Sequence, residues 1–431
     1  MNQRLRIVVS AKIIARLYRS RWWVVFLLFA GTFINAIDRA SLSAAAPAMM
    51  TDLHIGPRLM GVALSAFFWC YMVMNIPAGR LADRYGAKRT LGWAAGFWSV
   101  CSALTGSASR FAHVLLARVG VGIGESASFP VNARIVTRSF PVHARGTVVG
   151  CYTSGLRLGF AVTPVLMAWL MSRWSWRAAF YITGFGSLAW VALWGLTYRE
   201  VKAETLERRE EAHIPWLELL SNRTVLGLVC CKFFQDYLFY LFVTWLPGYL
   251  ILDRGFTVMK MGWCASLPWI AGFLAQPLAG AGSDWFIRRG ASPTLARKVP
   301  IITLQLLAAS VVLAGYVADP MQAVGLLTLS VACESASTAV LWAACTDVAP
   351  PATAGSLAGL LNSAGALAGI LAPTVTGLFV AITGSFQQAL LIGSCMVFLA
   401  ACAMAFVVGE LRPLALSREP AERNGSEGGT P

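Results

Sequence analysis

The chain has 431 residues, of which 57% are hydrophobic and 13% are charged, and its formal net charge at pH 7 is +15. One soluble core cannot bury so much apolar surface, so the composition excludes an ordinary soluble protein and indicates that the lipid bilayer is the main solvent. The basic residues stand beside apolar runs rather than in a soluble basic domain, so no nucleic-acid partner is expected, and the charge is interpreted as a determinant of topology with some attraction to anionic lipid.

The N-terminal segment, residues 1–21, is basic and has an apolar periodicity. Two interpretations stay open: a basic amphipathic segment that lies on the membrane, or a frayed basic tail. The first apolar run is long enough to span a membrane, and no small-residue cleavage site follows a short apolar core. We therefore expect no cleavable signal peptide.

Twelve apolar runs of about 20 residues follow, the length that an α-helix needs to cross a bilayer. A polar central loop, residues 199–223, separates the first six runs from the last six, and residues 411–431 form a polar tail. The predicted fold is an all-α membrane protein with a bundle of six helices at 22–198 and a second one at 224–410. The predicted spans lie near 22–45, 59–78, 90–109, 111–133, 147–171, 178–198, 224–251, 261–281, 299–318, 321–346, 354–382 and 386–409.

The distribution of lysine and arginine predicts the orientation, because short cytoplasmic loops retain these residues. With a cytoplasmic N-terminus, 25 of the 35 basic residues fall on the cytoplasmic side, 6 on the outside and 4 within spans. Both termini are therefore predicted to be cytoplasmic. Short loops, a strong basic bias and no targeting peptide are typical of a multi-pass protein of a bacterial inner membrane.

A basic motif recurs in the two halves. Gly79–Arg89 lies between the second and third spans, and a degraded copy begins 201 residues later at Gly280. The repeat predicts two pseudo-symmetric bundles and, by the physics of repeat-built membrane proteins, a transporter whose substrate site lies between them. Asp83 is expected to cap a neighbouring helix, and the basic residues to pair with acids on the cytoplasmic face. The residues assigned to this gating loop are Gly79, Asp83, Arg84, Gly86, Arg89 and Asp284.

Together with this loop, three further segments carry a family resemblance. They are Asp38-Arg39-Ala40 in the first span, Gly122–Pro130 in the fourth, and Tyr240–Leu250 with its Trp and Pro in the seventh. The chain resembles the anion:cation symporter family of the major facilitator superfamily, which includes bacterial sugar-acid:proton symporters, sialin and the vesicular glutamate carriers. The resemblance covers residues 22–410. It implies a monomeric secondary transporter that imports a small organic anion together with protons by alternating access.

Five ionisable residues of the N-terminal half interrupt apolar runs, and each needs a partner, a cavity or a function there. The resemblance implies that Asp38 and Glu125 are the proton-coupling carboxylates, although a static salt bridge is the structural alternative for each. Arg118 is expected to pair with Asp38. Arg157, deep in the fifth span, is expected to bind a substrate carboxylate through its guanidinium fork, and Arg39 to assist it. The alternative for Arg157 is a permanent pair with Glu125 or another buried acid.

Further binding positions follow from the resemblance to the galactonate-type carrier: Tyr71, Asn75, Trp342 and Asn362. The pattern also departs from that carrier, because Leu156 replaces a glutamine and Ala36 replaces an aromatic residue. A less hydroxylated, more acidic or more apolar anion than a hexonate therefore stays open. The candidate pathway residues are Arg118, Tyr152, Ser154 and Glu334.

Asp236 is an acidic residue within an apolar run. Two interpretations stay open: Asp236 is a carboxylate that lines the pathway, or it neutralises Lys232, which precedes it by four residues on the same predicted helix. The glycines near Glu125 resemble a nucleotide loop, but they lie in an apolar span and are better explained by close helix packing.

Soluble enzyme motifs, metal-binding motifs and ATPase motifs are absent from the sequence, so no enzyme activity, metal or cofactor is expected. A proton-coupled exporter of drugs or metabolites is the main alternative, although three arginines within the spans argue against it. A non-transporting membrane sensor is a more distant alternative. The sequence does not identify the anion, the proton stoichiometry or the use of sodium.

Overall fold

The computed structural model describes residues 2–140, 142–200, 216–349 and 354–413. Across these ranges the chain is helical and contains no strand. The predicted all-α class is therefore confirmed. The predicted central loop lies largely outside the described residues, and most of the predicted tail does as well.

The N-terminal half begins with a continuous helix that includes the basic segment and the first span. A break at Ser126 and Ala127 divides the fourth predicted span into two helices. The helices of this half are α1 (Asn2–Asp52), α2 (Pro57–Tyr85), α3 (Ala87–Thr105), α4 (Phe111–Glu125), α5 (Ser128–Ser139), α6 (Val142–Arg173) and α7 (Trp176–Thr197).

The C-terminal half repeats the arrangement after a short helix. A π-helical turn extends its first span, and a 3₁₀ turn extends its third. The helices of this half are α8 (Trp216–Ser221), α9 (Arg223–Gly248), α10 (Val258–Arg288), α11 (Pro293–Ala308), α12 (Pro320–Val348), α13 (Ala354–Thr383) and α14 (Gln387–Cys402).

Eleven helical segments in the described parts of the chain are long and apolar enough to cross a membrane. They correspond to eleven of the twelve predicted spans. The remaining span, predicted at 90–109, corresponds to α3, which has 19 residues and carries Lys88 and Arg89 in its first turn. Those two charges and several small polar residues keep its mean hydropathy lower, although α3 packs between α4 and α7 as a member of the bundle.

Glycines let α6 pack directly against α1. A Cβ atom on Gly155 would lie 2.5 Å from the carbonyl oxygen of Phe29, and one on Gly159 would lie 2.4 Å from the Cβ of Ala36. Such approaches exclude any larger side chain. The glycine-rich part of α4 behaves in the same way, since a Cβ on Gly122 would lie 2.2 Å from the Phe67 carbonyl oxygen of α2.

The two halves contact each other at the end of the bundle where α1 ends. The Ser43 hydroxyl of α1 donates a 2.7 Å hydrogen bond to the carbonyl oxygen of Thr244 in α9. Nearby, α2 crosses α13 so closely that a Cβ on Gly377 would lie 3.0 Å from the Cα of Gly61. These contacts close the molecule at this end.

The predicted gating loop is mostly helix, which corrects the sequence interpretation. α2 continues past Pro77 and Gly79 to Tyr85, and Gly86 follows as its C-cap. Gly86 makes the turn with φ of 85°, a conformation that favours glycine. α3 starts at the next residue, and its first N–H groups donate to the Glu200 carboxylate at 2.8 and 3.4 Å. Glu200, which the sequence analysis did not single out, therefore caps α3.

The C-terminal copy of the motif holds three helices together. Arg297 at the start of α11 donates to Asp284 of α10 at 2.7 Å and to Asp347 of α12 at 2.9 Å. The guanidinium therefore bridges two carboxylates on neighbouring helices. In the second bundle, Asp284 therefore forms an ion pair that connects α10 with α11.

Candidate functional site

Asp38 lies in the middle of α1 and is fully buried. Its Oδ1 atom accepts a 2.6 Å hydrogen bond from the Ser102 hydroxyl of α3. Its Oδ2 atom has no hydrogen-bond partner in the described part of the chain. One carboxylate oxygen is therefore held by a neighbouring helix, and the other is available for a proton or a water molecule.

Arg118 contacts Asp38 differently from the sequence expectation. Its Nη1 atom donates a 3.0 Å hydrogen bond to the main-chain carbonyl oxygen of Asp38, and not to the carboxylate. Arg118 is 2% exposed, and among the described residues its Nε and Nη2 atoms have no hydrogen-bond partner. The expected side-chain ion pair is thus replaced by a main-chain contact that leaves donors free.

Arg39 and Glu125 form the buried ion pair of this half. The Nε atom of Arg39 lies 2.7 Å from Oε2 of Glu125, and the exposed fractions of the two side chains are 8% and 0%. The guanidinium also lies over the rings of Phe67 and Tyr71, with its central carbon 4.7 and 4.8 Å from the ring centroids. Glu125 is therefore occupied by Arg39, so the expected alternative of an Arg157–Glu125 pair is not what the structure shows.

A small cavity separates these charges from the second half. Arg39 and Arg118 line it from one side, and Thr244 lines it from the other. Within the described part of the chain, its lining includes guanidinium atoms without a hydrogen-bond partner, namely Nη2 of Arg39 and Nε and Nη2 of Arg118. Buried polar atoms of this kind are normally satisfied by ordered water. A water molecule in this cavity would satisfy the free donors of the two guanidinium groups.

Arg157 projects from α6 toward the other half and is half-buried. Its Nη1 atom donates a 3.3 Å hydrogen bond to the Ser335 hydroxyl of α12, and the guanidinium lies 5.0 Å from the centroid of the Phe239 ring. In the described parts of the chain no carboxylate lies within ion-pair distance of it. Arg157 is therefore a cation at the boundary between the halves whose anionic partner is not supplied by the described protein groups.

Glu334 lies next to that contact and is 1% exposed. Its carboxylate accepts a 2.8 Å hydrogen bond from Thr338 and a 3.3 Å bond from Ser335. Because Ser335 also accepts from Arg157, a hydroxyl links the arginine of one half to the glutamate of the other. The predicted pathway residue Glu334 is thus connected to Arg157, the predicted anion-binding residue, by hydrogen bonds through Ser335.

Lys232 and Asp236 are paired on α9, as the spacing predicts, with Nζ 2.6 Å from Oδ1. The ammonium also lies 5.7 Å from the ring centroid of Trp342. Trp342 is half-buried on α12. The predicted binding residue Trp342 therefore has a cation beside it.

The other predicted binding and pathway residues lie on the helices expected for them. Tyr71 and Asn75 are half-buried on α2, where the Asn75 amide donates to the Tyr71 carbonyl oxygen at 2.6 Å. Asn362 is exposed on α13. Tyr152 is buried in the core of the first half, and Ser154 bonds to a carbonyl oxygen of its own helix.

The gating residues do not converge on this site. Arg84 and Arg89 are exposed at the far end of α2 and the start of α3. The Asp83 side chain lies outside the described residues, so its predicted capping role stays a prediction. The described residues contain no cluster of three or more His, Cys, Asp or Glu side chains able to hold a metal, and the ten cysteines are free.

Sequence reasoning missed the hydroxyl partners of the charged groups. Ser102 lies 64 residues from Asp38, and Ser335 lies 178 residues from Arg157. Serines are common in membrane helices, so neither position carried a local signal. Only the packing of distant helices identifies them.

The fold and this charged interface define a membrane transporter. Residues 28–373 match the model of the Major Facilitator Superfamily, which is most of the chain, and the chain belongs to that family. The family resemblance is therefore confirmed. The chain is a multi-pass membrane protein.

Three curated relatives are similar over almost their whole length. The "Probable galactarate/D-glucarate transporter GarP" of Escherichia coli (strain K12) is 32% identical, with 93% of this chain and 97% of that protein covered. The hexuronate transporter of Bacillus subtilis (strain 168) is 33% identical, with 89% and 94% covered. The D-galactonate transporter of E. coli O6:H1 is 31% identical, with 91% and 97% covered.

Solved structures confirm the fold at lower identity. An inward-facing, occupied bacterial homolog of the human lysosomal transporter Spinster has a TM-score of 0.77 and 18% identity, with 89% of this chain and 96% of that chain covered. A D-xylose-proton symporter has a TM-score of 0.76 and 15% identity, with 91% and 99% covered. At these identities the likeness concerns the architecture alone.

Proposed function

We propose that the protein imports a sugar acid together with protons by alternating access of its two halves. The observation that carries the proposal is Arg157, a half-buried guanidinium at the boundary of the halves with no carboxylate among the described residues in ion-pair distance. The relatives, which are named as transporters of galactarate and glucarate, of hexuronate and of galactonate, suggest the class of anion.

Arg157 suits a carboxylate because its guanidinium presents two parallel donors to two oxygens. Ser335 accepts from one of these donors, so an arriving carboxylate competes with a neutral hydroxyl and not with a fixed ion pair. The cost of that exchange is one ordinary hydrogen bond. Phe239 supports the opposite face of the guanidinium and keeps it oriented.

The proposed proton carriers are Asp38 and Glu125. Both are buried, and each has one carboxylate oxygen without a hydrogen-bond partner in the described chain. Protonation of Glu125 removes the charge that holds Arg39 and frees that guanidinium for the substrate. Proton binding and anion binding then strengthen each other by the same factor, which is the thermodynamic requirement for symport.

Alternating access is supported by the way that the halves meet. They contact each other at the end of the bundle near Asp52, through the Ser43 to Thr244 bond and the crossing of Gly61 with Gly377. In the orientation predicted from lysine and arginine, this is the outer end, so the substrate site is closed to the outside. Rocking of the halves about the Arg157 region would open this end and close the other.

The test is uptake of labelled sugar acids by proteoliposomes with an imposed proton gradient. Wild type is expected to accumulate a sugar acid, and Arg157→Gln to lose uptake by two orders of magnitude or more. The matched control is Arg173→Gln, an exposed arginine on the last turn of the same helix. Export of organic cations in exchange for protons, without movement of any sugar acid, would replace the proposal by the exporter alternative.

A further inference from the structure

A second cation lies in the other half, separate from Arg157. Lys232 on α9 donates to Asp236, and 8% of its side chain is exposed. An ammonium has three donors, and within the described residues the bond to Asp236 is the one hydrogen bond that the structure shows for it. Two donors therefore stay available to a ligand.

The surroundings of this pair keep it in place. A Cβ on Gly365 of α13 would lie 2.2 Å from Oδ2 of Asp236, so the carboxylate fits only because that position is glycine. The ring of Trp342 covers the ammonium at 5.7 Å. A buried ion pair contributes little stability compared with apolar side chains of the same volume, which favours a functional reason for these charges.

The helix α12 carries one contact point for each of the two cations. Arg157 contacts Ser335, and Lys232 lies against Trp342. These two contact points are seven residues apart, which is almost two helical turns, so they share one face of α12 about 10 Å apart along its axis. Cations spaced like these contact points would be too far apart for one carboxylate to contact both.

A short dicarboxylate has the matching shape. The carboxyl carbons of a six-carbon chain, with C–C bonds of about 1.5 Å, are roughly 6 Å apart. A hydrogen bond of about 2.9 Å at each end extends its reach to cations on both sides of the site. We infer that Lys232 and Trp342 form a second carboxylate subsite, so that the protein selects sugar acids with a carboxylate at both ends. This inference rests on the proposed function, with Arg157 as the first subsite.

Asp236 has a defined part in this subsite. It shares the ammonium with the incoming carboxylate and holds Nζ beside Trp342 when the subsite is empty. Because Asp236 already offsets the lysine charge, the second carboxylate gains a hydrogen bond rather than a full ion pair. Lys232 therefore determines selectivity, while Arg157 determines whether an anion binds at all.

The experiment compares two ligands of one length. Galactarate has two carboxylates, and in its monoamide one of them is a neutral amide. In proteoliposomes, the KM of the wild type for galactarate is expected to be lower than its KM for the monoamide by roughly tenfold or more. This factor corresponds to the free energy of one charge-assisted hydrogen bond. The variant Lys232→Gln with Asp236→Asn removes both charges together, so neither is left unpaired. It is expected to lose this preference.

Controls separate the subsite from general packing. Lys260→Gln removes another lysine that lies over an aromatic ring, at 4.3 Å from the centroid of Phe256, and is expected to keep the preference. Equal KM values in the wild type overturn the second subsite, as does a double variant that keeps the preference or raises both KM values alike. If the double variant does not fold, the wild-type comparison alone decides. Absence of transport for all sugar acids by the wild type would instead contradict the proposed function.

Discussion

Arg39 and Glu125 form an ion pair between α1 and α4, with 2.7 Å between Nε and Oε2 and no exposed surface on the glutamate side chain. Such a pair is costly to break by removing one partner, because the other charge is left buried. A proton on Glu125 breaks it without removing any atom. In the proposed mechanism, the pair therefore connects the protonation of Glu125 on α4 with the freedom of Arg39 on α1.

We expect Glu125→Gln to separate transport from coupling. Glutamine keeps the shape and a hydrogen-bond acceptor for Arg39 but cannot release a proton. Accumulation driven by a proton gradient should fall at least a hundredfold, while exchange of labelled for unlabelled sugar acid across the membrane continues. Counterflow measurements on the same proteoliposomes check this. Gradient-driven accumulation by Glu125→Gln at the wild-type level would contradict it.

Ser102→Ala should destabilise the protein through Asp38. The serine hydroxyl is the hydrogen-bond donor to the buried carboxylate, and leaving that oxygen unpaired costs about 1–3 kcal/mol. Thermal unfolding in detergent measures the loss, and Ser102→Thr should restore most of it. Ser172→Ala is the control, since Ser172 is exposed and bonds only within its own helix. Equal stability of Ser102→Ala and wild type would show that the hydroxyl does not support Asp38.

Gly377→Val should block the closure of the two halves near Asp52. A Cβ at this position would lie 2.5 Å from the Pro57 carbonyl oxygen, which the crossing of α2 and α13 cannot accommodate. Transport is expected to fall at least tenfold, while binding of the anion is retained. Gly359→Val on the same helix is the control, because a Cβ there meets no atom within 4 Å. Normal transport by Gly377→Val would mean that this contact is not part of the cycle.

The sequence predicted the fold well, because apolar runs of spanning length identify membrane helices by themselves. The predicted second span ends near residue 78 while the helix α2 continues to Tyr85, since hydropathy marks where a helix leaves lipid and not where the helix ends. Ionisable residues in apolar runs, such as Arg157, were conspicuous for the same physical reason. The hydroxyl partners of Asp38 and Arg157 were not conspicuous. Ser102 and Ser335 are ordinary helix residues in the sequence, and only the packing of distant helices brings them to the charged groups.

The most direct test of the account follows protons and sugar acid together. Proteoliposomes loaded with a pH-sensitive dye, without an imposed gradient, receive external sugar acid. Wild type should acidify the interior as the anion enters, and Arg157→Gln and Asp38→Asn should show neither acidification nor uptake above empty liposomes. Uptake of the anion by the wild type without acidification would contradict proton symport.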